Sequence, residues 1–155
     1  MAGSTKGVSE MPILNYSTGI NAAKTVAEIQ TNLSKHGATA ILIEYGNGEP
    51  TALSFKVLTP HGILPFRLPI DPKKVLAVIQ RQKVPKAYSN YEQAVKVAWR
   101  LLKDWVAVQM AYLETEQVTI DQLLLPYLMV EENKTLYERM AEKGLKQLAE
   151  GSNSQ

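Results

Sequence analysis

The sequence predicts an α+β fold in which a three-stranded antiparallel meander, at about residues 38–68, packs against one long helix, at about residues 90–116. In the first region apolar side chains tend to alternate with polar ones, which is typical of half-buried strands. In the second region they recur with the helical period of 3.6 residues. An N-terminal helix and several C-terminal helices complete the predicted fold.

The long helix is predicted from the longest uninterrupted helical pattern in the chain. Residues 91–116 contain neither Gly nor Pro, and Ser89 with Glu92 forms the pattern of a capping box at their start. The apolar side chains cover more than half of the helix circumference, so we expect two layers of structure or a partner subunit to cover them. Trp99 lies within this apolar arc and is expected in the core.

The three strands of the meander are predicted over residues 38–45, 51–58 and 63–68. Pro65 and Pro69 indicate that the third strand lies at an edge of the sheet, because proline has no N–H to donate to a central ladder. We expect helices to cover one face of this sheet, since a small sheet alone is only marginally stable.

Two of the flanking helices are predicted around the meander. The pattern of Thr25 with Glu28 opens the first, which ends at His36-Gly37, and a start near Asn21 is the alternative. Asp71-Pro72 combines an N-cap residue with proline at the first helical position and opens a short helix. This helix is expected to bury three apolar side chains: Val75, Leu76 and Ile79.

Two more helices are predicted after the long one. Thr119 with Gln122 starts a short helix that Pro126 disturbs. A final helix runs from about Lys134 to Ala149, with Gly144 as a weak point. It is expected to bury four apolar side chains: Leu136, Met140, Leu145 and Leu148.

Length and composition predict a single domain. The chain has 155 residues, of which 45% are hydrophobic and 21% charged, values ordinary for a globular protein. We expect a flexible N-terminal arm over residues 1–12, one α+β domain over residues 13–149 and a frayed tail over residues 150–155. No apolar run is long enough for a membrane span or a signal peptide, so we expect no membrane partner and a cytoplasmic location.

The sequence carries no motif that fixes a reaction. It lacks cysteine, which excludes disulfides, thiolate zinc sites and cysteine nucleophiles. Phosphate loops, dinucleotide-binding turns and nucleophile elbows are also absent. His36 and His61, the only histidines, fall at a predicted helix end and a turn, where capping and turn roles account for them. We therefore predict no enzyme, no catalytic residue, no metal and no cofactor.

The charges are distributed unevenly along the chain. Residues 71–103 contain eight Lys or Arg against two acidic residues, whereas residues 104–155 contain nine acidic residues against four basic ones. Such asymmetry indicates a segment that meets polyanions, or two surfaces that pair between subunits.

The basic segment has the composition of a nucleic-acid interface. Binding of a single strand needs cations that follow the phosphates and flat side chains on which bases stack. The short helix, the connector after it and the polar face of the long helix would supply both in one groove. The alternative interpretation is a solvated charged face with the aromatic residues in the core. The candidate binding residues are Lys73, Lys74, Arg81, Lys83, Lys86, Tyr88, Lys96, Arg100 and Lys103.

Three stretches carry a resemblance to known families: KTVAEIQTNLSKHGA, the meander ending in FRLP, and QAVKVAWRLLKDWVAVQMA. Over most of residues 15–149 the chain resembles a family of small proteins of bacteriophages and mobile elements. More distantly, its element order and charge are similar to the core of single-strand-annealing recombination proteins. That resemblance implies rings or filaments with DNA in a basic groove between sheet and helix, and a bacterial host cytoplasm.

Two functions follow as hypotheses. The first is a non-enzymatic protein of phage or mobile-element recombination or replication that binds nucleic acid, with single-stranded DNA favoured, as a homo-oligomer. The second is a protein–protein interaction module, such as a phage regulator or counter-defence protein. In that case the apolar arc of the long helix or the acidic C-terminal half would contact the protein partner.

Overall fold

The computed structural model describes residues 11–151 and confirms the α+β fold. The helices in this range are α1 (Ala22–Lys35), α2 (Pro72–Arg81), α3 (Tyr91–Glu114), α4 (Ile120–Leu124), α5 (Leu136–Lys143) and α6 (Leu145–Gly151). The strands are β1 (Ala38–Gly46), β2 (Glu49–Thr59), β3 (Gly62–Leu68), β4 (Met129–Glu131) and β5 (Lys134–Thr135). Of the predicted arm and tail, residues 1–10 and 152–155 lie outside the described residues.

Strands β1, β2 and β3 form the predicted antiparallel meander in the order β1-β2-β3. Phe55 pairs with Ile41 on one side and with Phe66 on the other, so these side chains share the inner face. Lys56 and Arg67 belong to the alternate set that faces outward. The edge position of β3 within the meander is confirmed, and Leu128 forms one bridge to it at Phe66. The β4-β5 hairpin therefore lies beside β3.

Helix α3 is covered from two directions. On one side Trp99 and Val106 share the main core with α1 and the inner face of the sheet. On the other side Ala94 and Val97 form a second cluster with Ile79 of α2. The prediction that two layers cover the long helix is confirmed, and Trp99 is fully buried as expected.

Two helix starts differ from the capping-box patterns. Asn90, not Ser89, caps α3, and its side-chain oxygen accepts a hydrogen bond from the Gln93 N–H at 2.9 Å. Asn21 caps α1 by accepting from the Lys24 N–H at 2.9 Å, so the earlier start is the correct one. In both cases an asparagine supplies the side-chain oxygen that a helix start needs, and the Ser/Thr pattern beside it is not used.

The C-terminal region was predicted wrongly as one helix from Lys134. Residues Lys134–Thr135 form β5, and α5 begins only at Leu136 behind a capping box of Thr135 with Glu138. Gly144, at φ +93°, then separates α5 from α6. Because the helical period is broken there, the apolar face does not continue. Leu145 and Leu148 are exposed rather than buried, and Leu136 and Met140 are only half-buried.

His36 connects the C-terminal ends of α1 and α3. Its Nδ1 lies 2.8 Å from the Asn32 carbonyl oxygen and its Nε2 lies 2.8 Å from Glu114 Oε2. Both partners can only accept, so the ring satisfies both bonds as a doubly protonated imidazolium. The pKa of His36 is raised above its usual 6.5, chiefly by the hydrogen bond to the Asn32 carbonyl. The hydrogen bond to Glu114 and its negative charge also raise this pKa, whereas burial of the ring lowers it.

This raised pKa predicts a pH-dependent contribution to stability. Since the folded state binds the proton more tightly, the contribution is complete below the unfolded pKa and is lost as the pH rises through the folded pKa. As the pH rises from acidic to alkaline, the unfolding free energy of the wild-type protein should fall by up to about 1 kcal/mol more than that of His36→Gln. Urea unfolding across this range measures the difference, and the comparison cancels the titration of His61. Parallel curves for the two proteins would contradict the assignment.

The burial of Trp99 generates a second prediction. Its indole Nε1 donates to the Pro50 carbonyl at 3.2 Å, joining α3 to the start of β2. Trp99→Phe leaves a cavity and an unpaired carbonyl, so we expect a loss of about 2–3 kcal/mol in unfolding free energy. The matched control is Trp105→Phe on the same helix, where the ring is half-buried and the cost should be about 1 kcal/mol or less. Equal losses of unfolding free energy in Trp99→Phe and Trp105→Phe would contradict the full burial of Trp99 in the core.

Candidate nucleic-acid interface

The predicted binding residues fall into two groups. Five lie on α2 and on the connector that follows it (residues 82–90), and all five are exposed: Lys73, Lys74, Arg81, Lys83 and Lys86. These five residues are called the basic surface below. The other three cations, Lys96, Arg100 and Lys103, lie on α3 and are half-buried.

Helix α2 presents its cations outward because its apolar side is used for packing. Asp71 accepts a hydrogen bond from the Lys73 N–H at 3.1 Å and Pro72 follows, as predicted for the helix start. Ile79 is fully buried against α3, while Val75 and Leu76 pack at the margin of the same cluster. Lys74 and Arg81 stand seven positions apart, two turns along the exposed side.

The connector is held in place by Val84. This side chain is buried in the second cluster, although its neighbours Lys83 and Lys86 are exposed. Lys83, the second residue after the end of α2, has a left-handed φ of +58°, the conformation in which many helices terminate. The connector therefore carries its two lysines on an anchored backbone.

None of the five cations of the basic surface forms an ion pair with any residue in the range 11–151. The segment 71–90 has one carboxylate, that of Asp71, and the α2 N-cap bond occupies one of its oxygens. The basic surface thus keeps its positive charge unbalanced.

The α3 cations are arranged differently. Arg100 donates to Glu28 Oε1 at 3.0 Å and approaches Thr25 Oγ1 at 3.4 Å, and its side chain is only 13% exposed. Lys103 Nζ lies 3.7 Å from Asp104 and lines a shallow pocket against α1. Arg100 therefore contacts α1 and Lys103 lies near Asp104 of its own helix, whereas α2 packs against Ala94 and Val97 of α3. The single groove that the sequence predicts, formed by both groups of cations, stays a prediction.

The aromatic candidates also differ in exposure. Tyr88 is half-buried, and its ring lies edge-on to Tyr16 with centroids 5.7 Å apart. Tyr91, at the first position of α3, is 48% exposed and follows the connector directly. Tyr91 is therefore the more accessible ring beside the basic surface, and stacking by Tyr88 stays a prediction.

Two polar residues of α3 hold the segment before α1. Gln93 is buried, and its Nε2 donates to the carbonyls of Tyr16 and Thr18 at 2.8 and 2.9 Å. Asp104 accepts from the Asn15 side chain at 2.8 Å. The helical period of residues 91–116 predicts Gln93 on the polar face of α3. Its partners in the segment before α1 lie more than seventy residues away in the chain, so no local sequence signal reveals them.

A cleft of about 700 Å³ lies where the end of β3, the start of α2 and the β5-α5 region meet. Arg67 lines it, and no sequence signal beyond its place on the outward face of β3 marked this residue. Glu138 also lines the cleft. The pKa of Glu138 is held below its usual value, mainly because its carboxylate accepts hydrogen bonds from the N–H and then the hydroxyl of Thr135. The positive charge of Arg67 acts in the same direction. This carboxylate therefore stays ionised near neutral pH.

Within residues 11–151 no group of three or more His, Cys, Asp or Glu side chains is placed to hold a metal ion. No helix in this range has the length and hydropathy needed to cross a membrane. Comparison of the chain with family models, with curated proteins and with solved structures yields no match.

Two cations of α3, Arg100 and Lys96, should respond differently to charge reversal. Arg100→Glu places two carboxylates together in a partly buried position, so we expect a loss of about 1–3 kcal/mol in unfolding free energy. Lys96, one turn earlier on the same helix, has no ion pair with a residue in the range 11–151, so Lys96→Glu should cost less than about 1 kcal/mol. Both are measured by urea unfolding.

The double variant Glu28→Arg with Arg100→Glu restores opposite charges and should recover part of the loss. Equal effects of the two single variants, without recovery in the double variant, would contradict a structural role for the Arg100 ion pair.

Proposed function

We propose that this protein binds single-stranded nucleic acid, with single-stranded DNA favoured, and that the basic surface holds the phosphates without catalysing a reaction. The observation that carries the proposal is the set of five exposed cations within fourteen residues that lack ion-pair partners in the described range. Cations left unpaired on one surface repel one another, and a polyanion relieves that repulsion.

The geometry of the basic surface supports this proposal. Lys74 and Arg81 lie about 10 Å apart along the axis of α2, given a rise of 1.5 Å per residue. The buried Ile79 fixes that axis against α3, and Val84 fixes the connector. A strand that crosses this surface meets cations at defined positions, and Tyr91 lies beside them as a stacking platform.

Arg100 and Lys103 contribute less to this proposal than the sequence indicates, because they interact with Glu28 and Asp104. Lys96 has no ion pair with any residue that the structure describes, and it stays a candidate. The basic surface, together with the resemblance to phage proteins, leads us to propose a role in recombination or replication. We also propose that the protein assembles into a homo-oligomer along the strand. These assignments rest on the sequence and on the basic surface alone.

One observation favours the alternative of a protein-binding module. Val108 and Tyr112 are both exposed and lie one turn apart on the C-terminal half of α3. Exposed apolar side chains at this spacing are typical of helices that contact a partner. A protein partner would therefore meet the end of α3 that lies away from the basic surface.

The proposal predicts affinity that falls steeply with salt. Three to five phosphate contacts correspond to a slope of about −2 to −3.5 in log K against log salt for a single strand. Between 50 and 200 mM salt this is a loss of about 15-fold to 130-fold. Fluorescence anisotropy with a labelled oligothymidylate measures it, and affinity that does not change with salt would contradict the proposal.

Charge reversal localises the binding surface. Lys74→Glu with Arg81→Glu should reduce affinity by about tenfold or more, since two of the phosphate contacts become repulsive. The control is Lys143→Glu, at the end of α5, combined with Lys146→Glu, in α6. This double variant changes the net charge by the same amount but leaves the basic surface intact, so it should have little effect on affinity. Equal losses in both double variants would mean that net charge, not the basic surface, determines binding.

A further inference from the structure

The cleft beside α2 has features that neither the core nor the basic surface requires. Its walls come from the start of β2, from the continuous segment 67–74 that joins β3 to α2 and carries Arg67 and Lys74, and from residues 127–138 with Tyr137. A volume of about 700 Å³ lies within the range of small-ligand sites.

The two cations of the cleft keep their hydrogen-bond donors available for an anion, although the charge of Arg67 also acts on Glu138. Neither Arg67 nor Lys74 makes a side-chain hydrogen bond or an ion pair with a residue in the described range. The two carboxylates of the cleft, in contrast, are engaged by backbone groups. Asp71 accepts from the Lys73 N–H at 3.1 Å, and Glu138 Oε1 accepts from the Thr135 N–H at 2.8 Å.

The same cleft offers aromatic and neutral polar groups. Tyr137 is 53% exposed, which leaves much of its ring accessible. Tyr127 is held edge-on against Trp105, with centroids 5.8 Å apart, so its position is set by the core. Asn133 at the hairpin turn carries both a hydrogen-bond donor and an acceptor. This is the combination of groups that recognises a nucleobase.

We propose that this cleft binds one nucleotide of a single strand, with the phosphate on Arg67 and Lys74 and the base beside Tyr137. The inference rests on the proposed function, because Lys74 belongs to both the cleft and the basic surface and so connects the two. The strand would run along α2 and place one nucleotide in the cleft. The two carboxylates limit the negative charge that the cleft can hold and so disfavour ligands with several phosphates.

The test uses thymidine monophosphate as a probe, titrated into the full-length protein by isothermal titration calorimetry up to about 5 mM. Saturable binding is expected for the wild-type protein, and Arg67→Gln and Tyr137→Ala should each weaken it by about tenfold. The matched control is Arg81→Gln, which lies on the basic surface but outside the cleft. It should weaken binding of a long oligothymidylate while leaving monophosphate binding unchanged. Thermal unfolding of each variant establishes that it is folded.

The outcomes separate this inference from the proposed function. Oligothymidylate binding that depends on Arg81 and salt, without saturable monophosphate binding, would overturn the cleft assignment and leave the proposed function standing. Monophosphate binding that depends on Arg67, without any oligothymidylate binding, would overturn both the proposed function and the claim that the cleft holds a nucleotide of a strand. Monophosphate affinity equal in the wild type and Arg67→Gln would place the phosphate elsewhere and contradict the proposal.

Discussion

The arrangement of this protein depends on one constraint, which is that α3 must bury side chains around most of its circumference. Trp99 and Val106 need the sheet and α1 on one side, and Ala94 and Val97 need α2 on the other. Polar side chains in between, such as Gln93, are then too close to neighbouring segments to stay hydrated. They are satisfied by backbone carbonyls instead.

This constraint also determines which charges are free. A cation on the α1 side of α3 lies near another helix and acquires a partner, as Arg100 does with Glu28. A cation on α2 lies on the outermost layer, because α2 contributes only one apolar face to the core. The same packing that neutralises one set of positive charges therefore leaves the basic surface exposed on a rigid support, which is the property on which the proposed function depends.

The parts of the fold that the sequence predicts are those set by local chemistry. The meander follows from alternation, α2 follows from Asp71-Pro72, and α3 follows from a long stretch without Gly or Pro. The β4-β5 hairpin was missed because three and two residues are too few to show a period. The Arg100 ion pair and the cleft were missed because their members lie far apart in sequence. Charge density alone could not distinguish an engaged arginine from a free lysine.

A map of the bound strand on the protein tests the role of the basic surface most directly. In an NMR titration with an oligothymidylate of defined length, we expect the largest amide shift changes on residues 73–86 and Tyr91, with smaller changes around the cleft. Changes concentrated on α1 near Glu28 and Arg100, or on Val108 and Tyr112, would contradict it. In that case the unpaired charges of α2 would be an ordinary solvated surface.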